Sequence, residues 1–533
     1  PHAVPIDAQR CLGFNDIPMS EFWAKSWTHR VTDEQRFFVK QPASAAHTYG
    51  HNIVMAEGFT TIGPHWQETI WDNLKPTFDK AACEGMNQLV WHAFSCSPAD
   101  MGVPGQDCFA GTHFNPNVTW WSRSEAFLSY INKCQAMLQH GRFVADVVYY
   151  YGDHVPNFAR LQSSDPCNVL PGYDYDVVTE EVILERMDVS DGKIVLPGGM
   201  HYSILVIPEY PGFSLLVLKK IKKLLHKGAI VVGPKPEYVN GLMNYPDSDE
   251  EFIKLVNELW GNSYAENSVL EKRIGKGYLF AGIQVKKVLN RFNIHQDFSF
   301  DSNSEETEID YIHRSDSIVD VYFVSNQNSN SEEVTCSFRV SGRQPEFWDP
   351  VTGNKWYATN WSVENGRTII PLELAPYGSL FIVFYKKADP PGNDEKKNNF
   401  IQCSLVKTLE GDWEVSFNEK WGDPHSVIFN ELKSWTEHSE NGIKYYSGTS
   451  TYKKSFEYQN SETSADTKIF IDLGNVRELA EIRLNGKQLG IVWSPPFRVE
   501  ITDFILPGEN KLEVDVVNFW ANLIIGDQLL PSD

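Results

Sequence analysis

CxxC pairs are absent from the 533 residues, and the eight cysteines, Cys11, Cys83, Cys96, Cys108, Cys134, Cys167, Cys336 and Cys403, are scattered along the chain. That spacing excludes a zinc centre built on thiolates, and disulfides become an option only if the protein is exported. Basic clusters are nearly absent too. The one exception, Lys219, Lys220, Lys222, Lys223 and Lys227, alternates with Ile221, Leu224 and Leu225 at helical spacing and forms the solvated face of an amphipathic helix. With 47 Lys+Arg against 70 Asp+Glu and a net charge of −23, the chain lacks the cationic surface that nucleic acid requires. No apolar run approaches the ~18 residues of a membrane span. Pro1–Arg10 has neither the basic start nor the apolar stretch of a signal peptide, and since the chain opens without Met, targeting information is expected upstream or already removed. No GxGxxG follows a strand, which leaves little support for a dinucleotide site. Aromatics, in contrast, are plentiful: 16 Trp, 22 Tyr and 31 Phe in a chain that is 42% hydrophobic. Such a chain folds, and its length predicts three or four domains.

The organisation expected is multidomain α/β followed by β. Residues 1–143 alternate strands (His51 to Phe59, Asn87 to Phe94) with helices (Asn73 to Glu84, Ser124 to His140), and the nearly all-apolar strands belong to a buried parallel sheet, open or in a (β/α) barrel. The segment amounts to about half of a barrel's ~250 residues. Residues 144–299 continue the alternation as a small doubly wound α/β domain, with strands at Phe143 to Tyr151, Ile204 to Ile207 and Ala229 to Val232, and a helix from Ser214, its N-cap, to His226, stopped by Gly228. Residues 300–385 read as a small β-sandwich, 386–399 (KKADPPGNDEKKNN) as a linker, and 400–533 as a second all-β module with hairpin turns at Asn485-Gly486 and Pro507-Gly508.

Chemistry in a barrel collects at the carboxyl ends of its strands. Glu57 follows Ile53-Val54-Met55-Ala56, and His92 follows Leu89-Val90-Trp91. Position alone fits active groups and the plainer case, a carboxylate paired with a buried Arg and a core His bonded to a carbonyl, equally well. Glu21, near Pro18 and flanked by aromatics, is a third candidate beside the commoner surface Glu. Around them stand His47, Tyr49, Asn52, His65, Trp66, Trp91, His113, Asn115, Trp120 and Trp121. Ring faces stack on sugar C–H surfaces while amides, imidazoles and carboxylates take hydroxyls, so paired carboxylates among aromatics suggest glycoside hydrolysis. The histidines show no HExxH, and Tyr49-Gly50 between His47 and His51 argues for a loop there. The metal ligands, if any, stay unassigned, since a Ca²⁺ held by oxygens leaves little trace in sequence.

The succession Ala45-Ala46-His47-Thr48-Tyr49-Gly50, Ile53 to Thr60 (IVMAEGFT), Asn87 to His92 (NQLVWH) and Gly111 to Trp121 (GTHFNPNVTWW) resembles glycoside hydrolase family 106, the α-L-rhamnosidases. Gln135 to Asp153 resembles that family's exit from the barrel, and Leu409 to Trp413, Tyr445 to Gly448 and Asn485 to Phe497 resemble a galactose-binding jelly-roll module. The resemblance implies an inverting, exo-acting hydrolase releasing rhamnose from a rhamnose-containing glycan, with calcium as a family requirement. It makes Glu57 the base, Glu21 its partner in holding water or sugar, and His47, Tyr49, His65, Trp66, Trp91, His92, His113 and Asn115 substrate-binding. By it, residues 1–143 are the C-terminal half of the barrel, and the other half, with the general acid, is expected from the same gene. The jelly roll is expected to lack its closing strand at Ser532-Asp533. A polysaccharide substrate places the protein in the periplasm or outside the cell. The alternatives are a retaining β-galactosidase- or β-glucuronidase-like enzyme and a non-catalytic carbohydrate-binding protein.

Overall fold

The computed structural model describes residues 5–530 apart from 27, 64, 68, 156, 160–163, 263, 265–267, 391–397, 419–425 and 460–466. Half of the expected linker, and the end at Ser532-Asp533, lie outside the described residues.

The first unit is a three-stranded parallel sheet, β1 (Met19–Trp23), β2 (Met55–Thr60) and β3 (Gln88–Trp91), in that spatial order. Helices α1 (Lys40–Tyr49), α2 (Lys75–Cys83) and α3 (Glu125–Leu138) connect and cover it. The strands are shorter than the apolar runs, because His51 to Val54 leads into β2 without pairing in the ladder. The stretch expected to be a loop around His47 is instead the last turn of α1. Gly50, at φ 90, is the cap that ends this helix, a left-handed position that glycine adopts without steric cost.

The second unit is a six-stranded sheet built from β4 (Val147–Tyr150), β5 (Tyr175–Val178), β6 (Ile204–Val206), β7 (Ile230–Val232), β8 (Leu270–Ile274) and β9 (Gly277–Ala281). Its spatial order is β8-β9-β7-β6-β4-β5, all parallel except the β8 edge. Helix α4 (Leu215–Lys227) begins where expected, with Ser214 Oγ accepting the Val217 N–H, and ends at Gly228. The run Phe143 to Tyr151 is two strands rather than one. Arg142–Phe143 pairs with Ile309–Ser315 in the β-rich unit beyond, and only Val147–Tyr150 enters this sheet.

The third unit packs a four-stranded sheet (Phe298–Ser302, Glu332–Phe338, Arg367–Leu374, Ser362–Glu364) against a six-stranded one that contains Asp320–Asn326 and Ser379–Lys387. The fourth is built on Trp413–Ser416, Thr449–Tyr458, Leu479–Leu484, Lys487–Val492 and Gly508–Val517. Asn485 and Gly486, at φ 52 and 76, form the expected two-residue hairpin turn. Pro507-Gly508 does not close a hairpin: Gly508 opens a long strand, while the strand before it, Arg498–Glu500, pairs with Phe470–Asp472.

Polar seams join these units. Lys40 Nζ on α1 donates to Asp174 at 2.7 Å. Lys75 on α2 donates to Asp79 at 2.8 Å and to Ser379 of the third unit at 3.0 Å. Arg123 reaches Glu481 at 2.9 Å and Asp515 at 3.1 Å, and Trp520 Nε1 donates to Asn117 O at 2.7 Å. No described helix is long and apolar enough to cross a membrane. All eight cysteines are free, so the disulfides considered above do not form in this fold.

Candidate active site

Side chains along a strand alternate between its two faces. Along β2, Ala56 and Gly58 turn to the packed side, while Met55 and Glu57 face the less covered one. Glu21 on β1 is the register partner of Glu57. Neighbouring strands run about 4.8 Å apart, so both carboxylates leave the sheet side by side on one face. Glu57 is the more open of the two, its side chain 38% exposed against 18% for Glu21. Glu21 Oε1 accepts the Trp23 indole N–H at 3.2 Å and lies 3.3 Å from Arg30 Nη1. The Arg30 guanidinium itself covers the Trp23 ring at 4.5 Å. A cation and a donor thus fix Glu21, whereas Glu57 keeps room for a reactant.

A β-bulge sets the other group at Glu57. Between the pairs Glu21/Glu57 and Trp23/Thr60, β1 has one residue and β2 has two, Gly58 and Phe59, with Phe59 in the left-handed region at φ 69. Without the bulge Thr60 would face away from Glu57; with it, Thr60 Oγ1 donates to Glu57 Oε1 at 3.3 Å. Left-handed backbone at a non-glycine residue is costly and concentrates at functional sites. Gly58 must be glycine, since a Cβ there would overlap Leu89 Cδ1 and the Phe22 ring.

Loops leaving the carboxyl ends of β2 and β3 complete the face. His92, whose N–H bonds Gly58 O at 3.0 Å, places Nδ1 4.0 Å from Glu57 Oε1, a neighbour rather than a hydrogen-bond partner. His65, Asp107 and His113 bring one potential ligand atom each within 4.8 Å of one another. His113 stacks on Trp66 at 3.7 Å, and Trp66 Nε1 donates to Asp107 at 2.7 Å. This is the one group of three metal-capable side chains among the described residues. His113 Nε2, however, already accepts the Cys108 N–H at 3.0 Å, and two imidazoles are the wrong donors for calcium, which takes six to eight oxygens. His65, Asp107 and His113 therefore do not fit calcium.

Four residues expected at the site are committed elsewhere. His47 is buried with Nδ1 3.0 Å from Asp176 and its ring 4.6 Å from Phe143, in the seam with the second unit. Burial alone would raise the Asp176 carboxyl; His47, Lys40 and the Tyr202 hydroxyl together outweigh that and hold it below the usual range. Tyr49 Oη meets Thr179 Oγ1 at 3.3 Å in the same seam. Trp91 stacks on Phe114 at 4.2 Å within an aromatic cluster. Asn115 is buried and staples its loop, donating to Ser95 O at 3.0 Å. Of the further polar and aromatic groups noted around the acids, Asn52 accepts from Arg314 at 2.7 Å and Trp120 is core. The structure brings Glu21, Glu57 and His92 together and adds Trp23, Arg30 and Thr60 to them, while His65, Trp66 and His113 gather with Asp107 as a second group on the loops after β2 and β3. Arg30 had a signal, as a cation seven residues beyond Trp23 in an acid- and aromatic-rich stretch. Thr60 had none, because period-two alternation puts it on the wrong face.

Residues 3–359 match the profile of glycoside hydrolase family 106, described as alpha-L-rhamnosidase. The rhamnosidase of Novosphingobium sp. PP1Y has a similar solved structure, with TM-score 0.87 and 29% identity, covering 99% of this chain and 49% of that one. A curated protein of Formosa agariphila carrying a β-glucuronidase name is 26% identical, covering all of this chain and 62% of its own length. The chain thus spans 49% and 62% of the lengths of these two relatives. By its profile match and shared fold, the chain belongs to glycoside hydrolase family 106, the α-L-rhamnosidases.

Proposed function

We infer that this chain carries the water-activating side of the catalytic centre of an α-L-rhamnosidase that removes terminal rhamnose from glycans met in the periplasm or outside the cell. The observation that carries the reading is the register pair Glu21/Glu57, with His92, Trp66 and His113 on loops beyond the same strand ends. On this reading β1, β2 and β3 are the C-terminal strands of a (β/α) barrel, and the loops after them form part of its cup. The remaining units are a doubly wound domain and two sandwich modules.

Acid and base must flank a glycosidic bond, and in an inverting enzyme they stand roughly 6.5 to 9.5 Å apart to admit a water. Carboxylates from adjacent, in-register positions reach the sugar from one side, so Glu21 and Glu57 act together on the water face. Glu57 takes the proton of the water that attacks C1 as the C1–O bond breaks. Glu21, immobilised by Trp23 and Arg30, orients that water or a sugar hydroxyl. The leaving oxygen takes its proton from an acid outside these three strands.

The test is nitrophenol release from aryl glycosides by the full-length gene product, which supplies the acid, with the first-formed anomer read by NMR. The α-L-rhamnoside should be cleaved with inversion, and Glu57→Gln should lower kcat/KM by at least roughly 10²-fold. A second reading, a retaining β-glucuronidase, is favoured by the name of the Formosa agariphila relative and by Arg30, which could pair with a uronate. It predicts cleavage of the β-D-glucuronide with retention. Silence on every glycoside would favour a carbohydrate-binding protein without catalysis.

A further inference from the structure

The second unit contains a cleft that the reaction above does not use. It holds about 1690 Å³ and opens at the carboxyl ends of the parallel strands, touching Tyr149 of β4, Val206 of β6, Val232 of β7 and the turn at Gly282 after β9. The sheet order explains why it is there. From β4 the chain passes to β5 on one side, while β6, β7 and β9 add successively on the other, so the connections diverge between β4 and β6. Where they diverge, the loops part and leave a crevice above the strand ends, the position at which open α/β sheets bind ligands.

Its lining decides the ligand chemistry. Lys235 is the one Lys or Arg among the described lining residues, and its Nζ is held by Asn257 Oδ1 at 2.9 Å and Gly261 O at 3.1 Å. Asp165 is occupied as well, its carboxylate accepting the Cys167 and Leu170 N–H groups at 2.8 Å each. Glu209 and Glu237, both exposed, are left facing the cleft beside Tyr210, which is 38% exposed. Acids without a spare cation repel phosphate and carboxylate ligands. A tyrosine ring beside carboxylates and the amide of Gln284 suits the alternating C–H faces and hydroxyls of a neutral sugar. The volume exceeds the 300–1,000 Å³ typical of small-molecule pockets, which favours several linked rings over one.

We propose that this cleft is a second glycan-binding site, taking a neutral oligosaccharide at the strand ends of the doubly wound unit, separate from the Glu21/Glu57 face. It stands whether or not the chain hydrolyses rhamnosides. The test is calorimetric titration of the protein with cellotetraose, xylotetraose and galactotetraose, with AMP and inorganic phosphate as contrasting probes. At least one tetrasaccharide should bind, Tyr210→Ala and Glu237→Gln should each weaken it by roughly tenfold, and Glu57→Gln should leave it unchanged. Hydrolysis of the aryl rhamnoside should be unaffected by Tyr210→Ala, so loss of this site and loss of the catalytic reading are read separately. The proposal is overturned by absence of tetrasaccharide binding up to about 20 mM, by binding that Glu57→Gln abolishes while Tyr210→Ala and Glu237→Gln spare it, or by AMP or phosphate binding that Tyr210→Ala or Glu237→Gln weakens.

Discussion

Thr60 and Glu57 stand three residues apart on one strand yet share a face, with Thr60 Oγ1 donating to Glu57 Oε1 at 3.3 Å across the Gly58-Phe59 bulge. A hydroxyl donor favours the ionised carboxylate, the form a general base needs. Thr60→Val keeps the shape and removes the donor. We expect kcat/KM on the rhamnoside to fall by about fivefold, near 1 kcal/mol. An unchanged kcat/KM would separate Thr60 from the base.

The bulge depends on Gly58. A methyl group there would collide with Leu89 and Phe22, both buried, and neither neighbour can yield without disturbing the sheet. Gly58→Ala should cost about 2 kcal/mol in urea unfolding and reduce activity beyond what the stability loss explains, because the bulge also aims Glu57 and Thr60. Wild-type stability in this variant would mean the strand pair has slack that the packing denies.

The parallel strands and the capped helix α4 were legible because apolar runs and cap residues are local signals, and Ser214 and Gly228 do what their residue types favour. The proximity of Glu21 and Glu57 to aromatics was also visible in order of residues. The facing of side chains was not. His47 and Tyr49 lie in one of the family-like stretches, but on α1 they turn toward Asp176 and Thr179, and a helix's outward face is set by what packs on it later in the chain. Thr60 escaped for the related reason that a bulge breaks the alternation on which strand reading rests.

Lys40 tests the seam between the first two units. Its ammonium is buried, bonded to Asp174 at 2.7 Å and 4.4 Å above the Tyr175 ring. Removing one member of a buried pair strands the other. Lys40→Met should destabilise by about 3–5 kcal/mol, and the double variant Lys40→Met/Asp174→Asn should recover a substantial part of that in chemical denaturation. Additive losses would show that the two charges do not act as a pair.

Glu84 gives stability a pH dependence with a definite sign. It is buried at the end of α2 and its Oε2 has no hydrogen-bond partner. Burial pushes its carboxyl up to about 8, against the pull of Lys80 and Lys40, with Asp310 adding to the rise. In the unfolded chain the same group ionises near the ordinary glutamate value, about 4.3. The folded state therefore holds a proton that the unfolded state releases, so this contribution is fully present below the unfolded value and is lost as pH climbs through about 8. Glu478, pushed up to about 8 by burial, adds a slope of the same sign at the contact between the first and fourth units. Glu84→Gln keeps the volume and abolishes one titration. At pH 4 it should come close to the wild type, and at pH 9 it should be the more stable protein by about 2 kcal/mol or more. Denaturant melts of both proteins at the two pH values decide it: an equal change at pH 4 and pH 9 would mean that Glu84 is ionised in the folded protein throughout, and that Lys80 and Lys40 together outweigh its burial.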